Sequence, residues 1–104
     1  MLQWLIGLFE GEGTIIIRQK EKRGARLKLA TTDFDIINRF HKAVGCGTVR
    51  PHKTPADRKD AWVWQASAED DVRRLLIQWL PYLGMRRAHK ALDALDWLDY
   101  RKLT

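Results

Sequence analysis

Leu2-Gln3-Trp4-Leu5-Ile6-Gly7-Leu8-Phe9-Glu10-Gly11-Glu12-Gly13 is apolar on two sides at once. From Leu2 to about Gly11 the run is too long and too evenly apolar for a strand, and it predicts a helix that Gly13 ends. At about 100° per residue, Leu2, Leu5, Ile6 and Phe9 share one face. Trp4, Gly7, Leu8 and Gly11 share nearly the opposite one, leaving only Gln3 and Glu10 on a polar side. A helix at the edge of a small domain buries one stripe, so the second face needs a covering of its own. Each glycine inside a helix costs about 1 kcal/mol against alanine, so Gly7-x-x-x-Gly11 asks for another backbone to come close. Two coverings are open: this chain's own sheet, or a two-fold helix pair through Trp4, Gly7, Leu8 and Gly11 of two copies. In the second case the two copies of Glu12, each between glycines just past the helix, come together. Adjacent carboxylates repel unless a cation or a shared proton relieves them. Oxygen ligands suit Mg²⁺, and paired metals across a phosphodiester activate water and stabilise the leaving oxygen.

Beyond the helix, Thr14-Ile15-Ile16-Ile17-Arg18-Gln19-Lys20 is rich in β-branched residues and reads as a strand. Arg23-Gly24 marks a hairpin turn, and Ala25 to Thr31 returns with Arg26 and Lys28 alternating against Leu27 and Leu29. Thr32-x-x-Asp35 resembles a capping box, opening a helix with Ile36, Ile37, Phe40 and Val44 at helical spacing and Gly45 as its stop. Gly47 to His52 is a third strand, 53–60 a polar loop, and Ala61 to Ala66 a fourth strand with Trp62 and Trp64 inward, Val63 and Gln65 outward. Ser67 caps a third helix whose first turn is acidic, with Val72, Leu75, Leu76 and Trp79 buried and Pro81 breaking it. A last helix runs from about Gly84 to Tyr100 with Ala88, Leu92, Leu95 and Leu98 inward. The expected fold class is α+β, in the order αββαββα plus a terminal helix, with residues 1–104 forming a single domain around a four-stranded antiparallel sheet.

The bulk composition agrees with one small packed core: 104 residues, 45% hydrophobic, five Trp. Nineteen Lys and Arg against thirteen Asp and Glu leave +6. That balance fits a soluble basic surface or a polyanionic partner, since neutralising phosphates releases counterions. The single Cys46 excludes an internal disulfide and suits a reducing compartment. No window reaches the ~18 apolar residues of a membrane span, and the N-terminus lacks the features of a signal peptide. A cytoplasmic protein with no membrane association is expected. The histidines show no ligand spacing with Cys46, which speaks against zinc, and His41 reads as structural. Trp4 apart, the tryptophans read as core.

Leu5-Ile6-Gly7-Leu8-Phe9-Glu10-Gly11-Glu12-Gly13 resembles the LAGLIDADG motif of homing endonucleases, with Glu for both acids. The likeness extends along the chain. Thr31-Thr32-Asp33 looks like the family's opening of the next helix. Val44-Gly45-Cys46-Gly47-Thr48-Val49 is similar to its Gly-x-Gly lead into a strand, and Leu80-Pro81-Tyr82-Leu83 to its late helix junction. The resemblance implies a LAGLIDADG-type αββαββα fold. It also implies, for a chain with one motif, a homodimer that cuts both strands of a near-palindromic DNA duplex across the minor groove with a divalent metal, leaving short 3′ overhangs. It places metal binding on Glu12, one methylene longer than the family's Asp, with the Gly11 carbonyl as a second contact. It gives Glu10 no metal role, and Glu10 reads as a structural or helix-end residue. It assigns an active-site polar position to Thr31 or Thr32, and a phosphate-contacting basic residue to Arg86 or Arg87. No small-molecule cofactor is implied beyond Mg²⁺ or another divalent cation. Independently of the family, Arg86, Arg87, His89 and Lys90 gather at a helix N-terminus, where a solvated turn or an anion site would both fit.

Strand alternation puts Thr14, Ile16, Arg18 and Lys20 on one face, with Arg26 and Lys28, then Thr48, Arg50 and His52, then Gln65. With Lys53 these are the expected DNA contacts, the sheet lying in the family as a saddle along the major groove. Arg pairs with guanine and Gln with adenine edges. Lys22, Arg23, Lys53, Arg58 and Lys59, in loops, are expected on phosphates. Two competing classes stand beside this reading: a relative that keeps the fold as an inactive DNA- or RNA-binding protein, such as an intron-splicing maturase, and a dimeric interaction domain without nucleic acid.

Overall fold

The computed structural model describes residues 2–18, 24–52 and 61–103. The apolar first segment forms α1 (Leu2–Glu12), followed without a break by β1 (Gly13–Arg18). Then come β2 (Gly24–Thr31), α2 (Phe34–Val44), β3 (Thr48–His52), β4 (Ala61–Ala66), α3 (Glu69–Trp79), a 3₁₀ turn (Leu80–Tyr82) and α4 (Met85–Leu103). The order is the expected αββαββα with a terminal helix. The expected positions Lys20, Lys22, Arg23, Lys53, Arg58 and Lys59 lie outside the described residues, as does the side chain of Arg18.

The four strands form one antiparallel sheet in the order β1-β2-β4-β3. The helices cover one face of it, because alternate residues there are apolar: Ile15, then Ala25, Leu27 and Leu29, then Trp64 and Ala66 are all buried. Leu5, Ile6 and Phe9 of α1, Ile37 and Phe40 of α2, and Val72, Leu75, Leu76 and Trp79 of α3 close over them. Aromatic rings meet at the centre, Phe9 with Trp79 at 5.0 Å between centroids and Phe40 with Trp64 at 4.9 Å. Such pairs add about 0.5–1.5 kcal/mol each beyond the area they bury.

Several local details differ from the sequence expectation. The N-cap of α2 is Asp33, not Thr32: its carboxylate accepts from the backbone N–H of Asp35 and Ile36, while Thr31 Oγ1 accepts from Asp33 N. Helix α3 starts after Ala68 rather than Ser67 and has no side-chain cap. Glu69, Asp70 and Asp71 in its first turn offset the helix dipole instead. In α4 the fully buried stripe is Ala91, Ala94 and Leu98. Leu95 and Ala88 are half-buried and Leu92 is exposed, because α4 lies against β1 and β2 through its small residues. On β4, Val63 faces outward but is buried between its neighbours Ala30 and Arg50. Trp62 is only half-buried and meets the exposed Phe34 ring in a tilted contact, 4.6 Å between centroids.

The lead into β3 is rigid. Gly45 (φ 82°) closes α2 and Gly47 (φ 87°) follows, both in the left-handed region. A Cβ on Gly47 would press into the Trp64 indole and the Gln65 carbonyl. Trp64 Nε1 donates to Cys46 O (2.9 Å), and His41 Nε2 lies 3.0 Å from Gly47 O, which gives His41 its structural role.

Candidate active site and nucleic-acid interface

Three features converge at the C-terminal end of α1. The first is the outward face of the helix. Leu5, Ile6 and Phe9 point into the core, whereas Gly7 and Gly11 are exposed, Leu8 is half-buried and Trp4 keeps 37% of its surface in solvent. A Cβ built on Gly7 or Gly11 would find no neighbour within 4 Å. The chain's own sheet therefore does not cover this face, and that alternative is overturned. Gly13 differs, since a Cβ there would run into the Phe9 ring. Arg39 of α2 reaches over the Trp4 ring, 5.5 Å from its centroid, and extends the face.

The second feature is the junction between α1, β1 and α4. Glu10 Oε2 accepts from Gly84 N at 3.2 Å, and Glu10 Oε1 lies 3.7 Å from Arg87 Nη1. Arg87 Nη2 donates to Gly13 O at 2.6 Å. Glu10 is thus a tie between α1 and the start of α4, and Arg87 is committed to the same tie. Arg86 is exposed. Together with His89 and Lys90 it lines a hollow of about 370 Å³ against Gly13 and Thr14.

The third feature is Glu12, exposed at the last turn of α1. It opens on a hollow of about 450 Å³ that it shares with Leu8, Ala30, Thr31, Thr32 and Ile36. Thr31 Oγ1 accepts from Asp33 N, so its hydroxyl proton remains available to a ligand. The carbonyls of the last helical turn, Gly11 among them, have no intrahelical partner. One chain therefore offers a hard cation the Glu12 carboxylate and the neighbouring Gly11 carbonyl, oxygen donors of the right kind but too few for a closed shell. Among the described residues, no group of three or more His, Cys, Asp and Glu side chains is placed to hold a metal ion. Burial pushes the Cys46 thiol up, Asp71 pushes the same way, and Arg74 opposes both.

The sheet's outer face follows from register. Thr14, Lys28, Gln65 and Thr48 stand opposite one another in a row across all four strands. Ile16 faces Arg26 in a second row, Ala30, Val63 and Arg50 form a third, and His52 pairs with Ala61. Thr14, Thr48, Arg50 and His52 are exposed, while Ile16, Arg26, Lys28 and Gln65 are half-buried. Arg50 Nη2 donates to Gln65 Oε1 at 3.3 Å, a pairing that strand alternation alone does not announce. No described helix is long and apolar enough to cross a membrane.

No protein-family model matches the sequence, and no curated protein matches it. Solved structures do. The homing endonuclease I-CvuI, in complex with a DNA target in the presence of magnesium and uncleaved, superposes with a TM-score of 0.71 at 22% identity. The match covers 93% of this chain and 64% of that one. The homing endonuclease I-TnaI gives a TM-score of 0.76 at 14% identity over 98% of this chain and 74% of that one. The LAGLIDADG meganuclease I-CpaMI, bound to uncleaved DNA, gives 0.68 at 16% identity over 96% of this chain and 38% of that one. This chain thus spans less than two thirds of the I-CvuI chain, and at these identities the likeness is one of fold.

Proposed function

We propose, from the LAGLIDADG homing-endonuclease fold that this chain adopts, that it is one subunit of a homodimeric, divalent-metal-dependent endonuclease cutting both strands of a near-palindromic DNA duplex. The observation that carries the proposal is the outward face of α1. Two helical glycines with nothing beside them flank a half-exposed Leu8 near Trp4, and the same helix ends in the exposed Glu12. A two-fold contact through that face supplies the close backbone partner the glycines call for and brings two Glu12 carboxylates to one place.

In that arrangement each Glu12 carboxylate and Gly11 carbonyl would hold a divalent cation, with phosphate oxygens and water filling the remaining positions. Bound metal would supply an activated water and neutralise charge on the leaving oxygen. The chain's own groups do the rest. Arg86, left free by the commitment of Arg87 to Gly13 and Glu10, meets the phosphate from the α4 side and offsets charge growing on its oxygens. Thr31 offers its hydroxyl proton to an oxygen in the Glu12 hollow. Glu10 holds α4 against α1, so that Arg86 and Glu12 keep a fixed relation. The outer sheet face lies along the major groove, with Lys28, Arg50 and Gln65 toward base edges and Thr14 and Thr48 beside them.

The test uses duplexes enriched on the protein from a random pool and then incubated with Mg²⁺. Wild type is expected to cut both strands. Loss of an outer-shell partner already lowers metal-site function 10- to 100-fold, so Glu12→Gln, which removes a direct ligand, should slow cutting by about a hundredfold or more with duplex binding kept. Equal cutting by Glu12→Gln would sink the assignment. Binding without any Mg²⁺-dependent cutting by wild type would instead mark a relative that kept the fold as a nucleic-acid-binding protein.

A further inference from the structure

The outer face of the sheet carries two side chains that are already hydrogen-bonded to each other. Arg50 on β3 stands opposite Val63, and Gln65, two residues on along β4, stands opposite Thr48, so the two are diagonal neighbours. Arg50 Nη2 donates to Gln65 Oε1. The sense of that bond is set by chemistry, because a guanidinium can only donate and the amide atom facing it must be the oxygen.

The consequence concerns what Gln65 has left. A free glutamine offers an acceptor and a donor side by side, the combination that pairs with the N6 and N7 edge of adenine. Here Arg50 takes one of the two lone pairs of that oxygen and holds the carbonyl along the sheet, so the amide NH₂ is the group left wholly free. Lys28, directly across from Gln65 on β2, has donors and no acceptor. The remaining N–H groups of Arg50 are donors as well. Lys28, Gln65 and Arg50 thus form a patch that leaves mainly donors free, and the flanking Thr14 and Thr48 hydroxyls can donate as well.

In the major groove, adenine and cytosine each present an amino donor that such a patch leaves unpaired. Thymine presents a single acceptor beside a methyl group, and guanine presents two acceptors, N7 and O6. We infer that the Lys28–Gln65–Arg50 patch reads guanine in each half-site, and that Arg50 sets this preference by holding the carbonyl of Gln65 along the sheet. The inference rests on the proposed DNA-cutting function and adds to it the identity of a base.

Selection of bound duplexes from a random pool, with Mg²⁺ omitted, tests it on wild type, Arg50→Ala and Gln65→Leu. Thermal unfolding checks that each variant folds. Wild type is expected to enrich a guanine at a position whose preference collapses in Gln65→Leu, by about five- to a hundredfold, the range for one bidentate contact. At the same position Arg50→Ala should shift the preference toward adenine, since the Gln65 amide is released to turn its oxygen and NH₂ together to one base edge. Adenine, cytosine or no preference in wild type at the position sensitive to Gln65 overturns the inference while leaving the nuclease reading intact. So does an unchanged guanine in Arg50→Ala, or the lack of any position that responds. If wild type enriches no duplex at all, the DNA-binding function itself fails, and the base assignment with it.

Discussion

Replacing Gly7 and Gly11 together by alanine separates the two demands placed on α1. Neither glycine has a positive φ, and neither has an atom within 4 Å of where a Cβ would stand. Within one chain the new methyl groups meet nothing, so each substitution should stabilise the fold by about 1 kcal/mol through helix propensity, about 2 kcal/mol together. In a domain of this size each kcal/mol moves Tm by roughly 4–8 °C, so a lone chain should gain roughly 8–16 °C. In a two-fold pair the same methyl groups press into the facing helix. Overpacking a close contact costs about 1–3 kcal/mol, and the contact occurs at two positions, so association should weaken by about 2–6 kcal/mol, roughly thirtyfold to twenty-thousandfold. Analytical ultracentrifugation over a dilution series, with urea denaturation alongside, reads both effects. Wild type should sediment as two 12.2 kDa chains and the double variant as one, while the variant's monomer unfolds at higher urea than that of wild type. A variant that stays dimeric with a raised Tm refutes the reasoning. A wild type that is monomeric at every concentration at which it cuts DNA refutes it as well.

The adjacent arginines should part company. Arg86→Ala should leave stability within about 0.5 kcal/mol of wild type while slowing DNA cutting, whereas Arg87→Ala removes a charge-assisted bond to Gly13 O and should lower stability by about 1.5–3 kcal/mol; urea denaturation beside a cleavage time course distinguishes them, and the reverse pattern would exchange their roles. Gly47→Ala, with φ at +87° and its Cβ pressed into Trp64 and the Gln65 carbonyl, should lower stability by at least about 1–3 kcal/mol and red-shift tryptophan emission as the fully buried Trp64 indole is displaced. A variant as stable as wild type would show that the lead into β3 is not held as described.

Where the order of elements could be read directly, the signal was local. The β-branched run around Ile15–Ile17, the alternation of Arg26, Leu27, Lys28 and Leu29, and the stops at Gly13, Gly45 and Pro81 each lie within one element. Where two local signals competed, the reading missed by one residue. Thr32 and Asp33 are both good caps, and only the backbone path from β2 gives the two N–H groups to Asp33. In α4, Ala88, Ala91, Leu92, Ala94, Leu95 and Leu98 make an apolar band too wide to specify its own centre. The sheet settles it by accepting the small residues Ala91 and Ala94 at close range and turning Leu92 to solvent.

The candidate site divides along the same line. The acidic end of an apolar helix, its glycine spacing and the basic alternation of the strands are properties of neighbouring residues, and the sequence shows them directly. Which of Arg86 and Arg87 is free depends on α4 docking against α1 and β1, a contact made between residues 74 apart in sequence. The openness of Gly7 and Gly11, and the meeting of Arg50 with Gln65 across fifteen residues, likewise exist only once the elements have packed. Periodicity assigns a side chain to a face because it is a property of one helix or strand; what that face meets is a property of two, and the sequence of one element does not contain the position of the other.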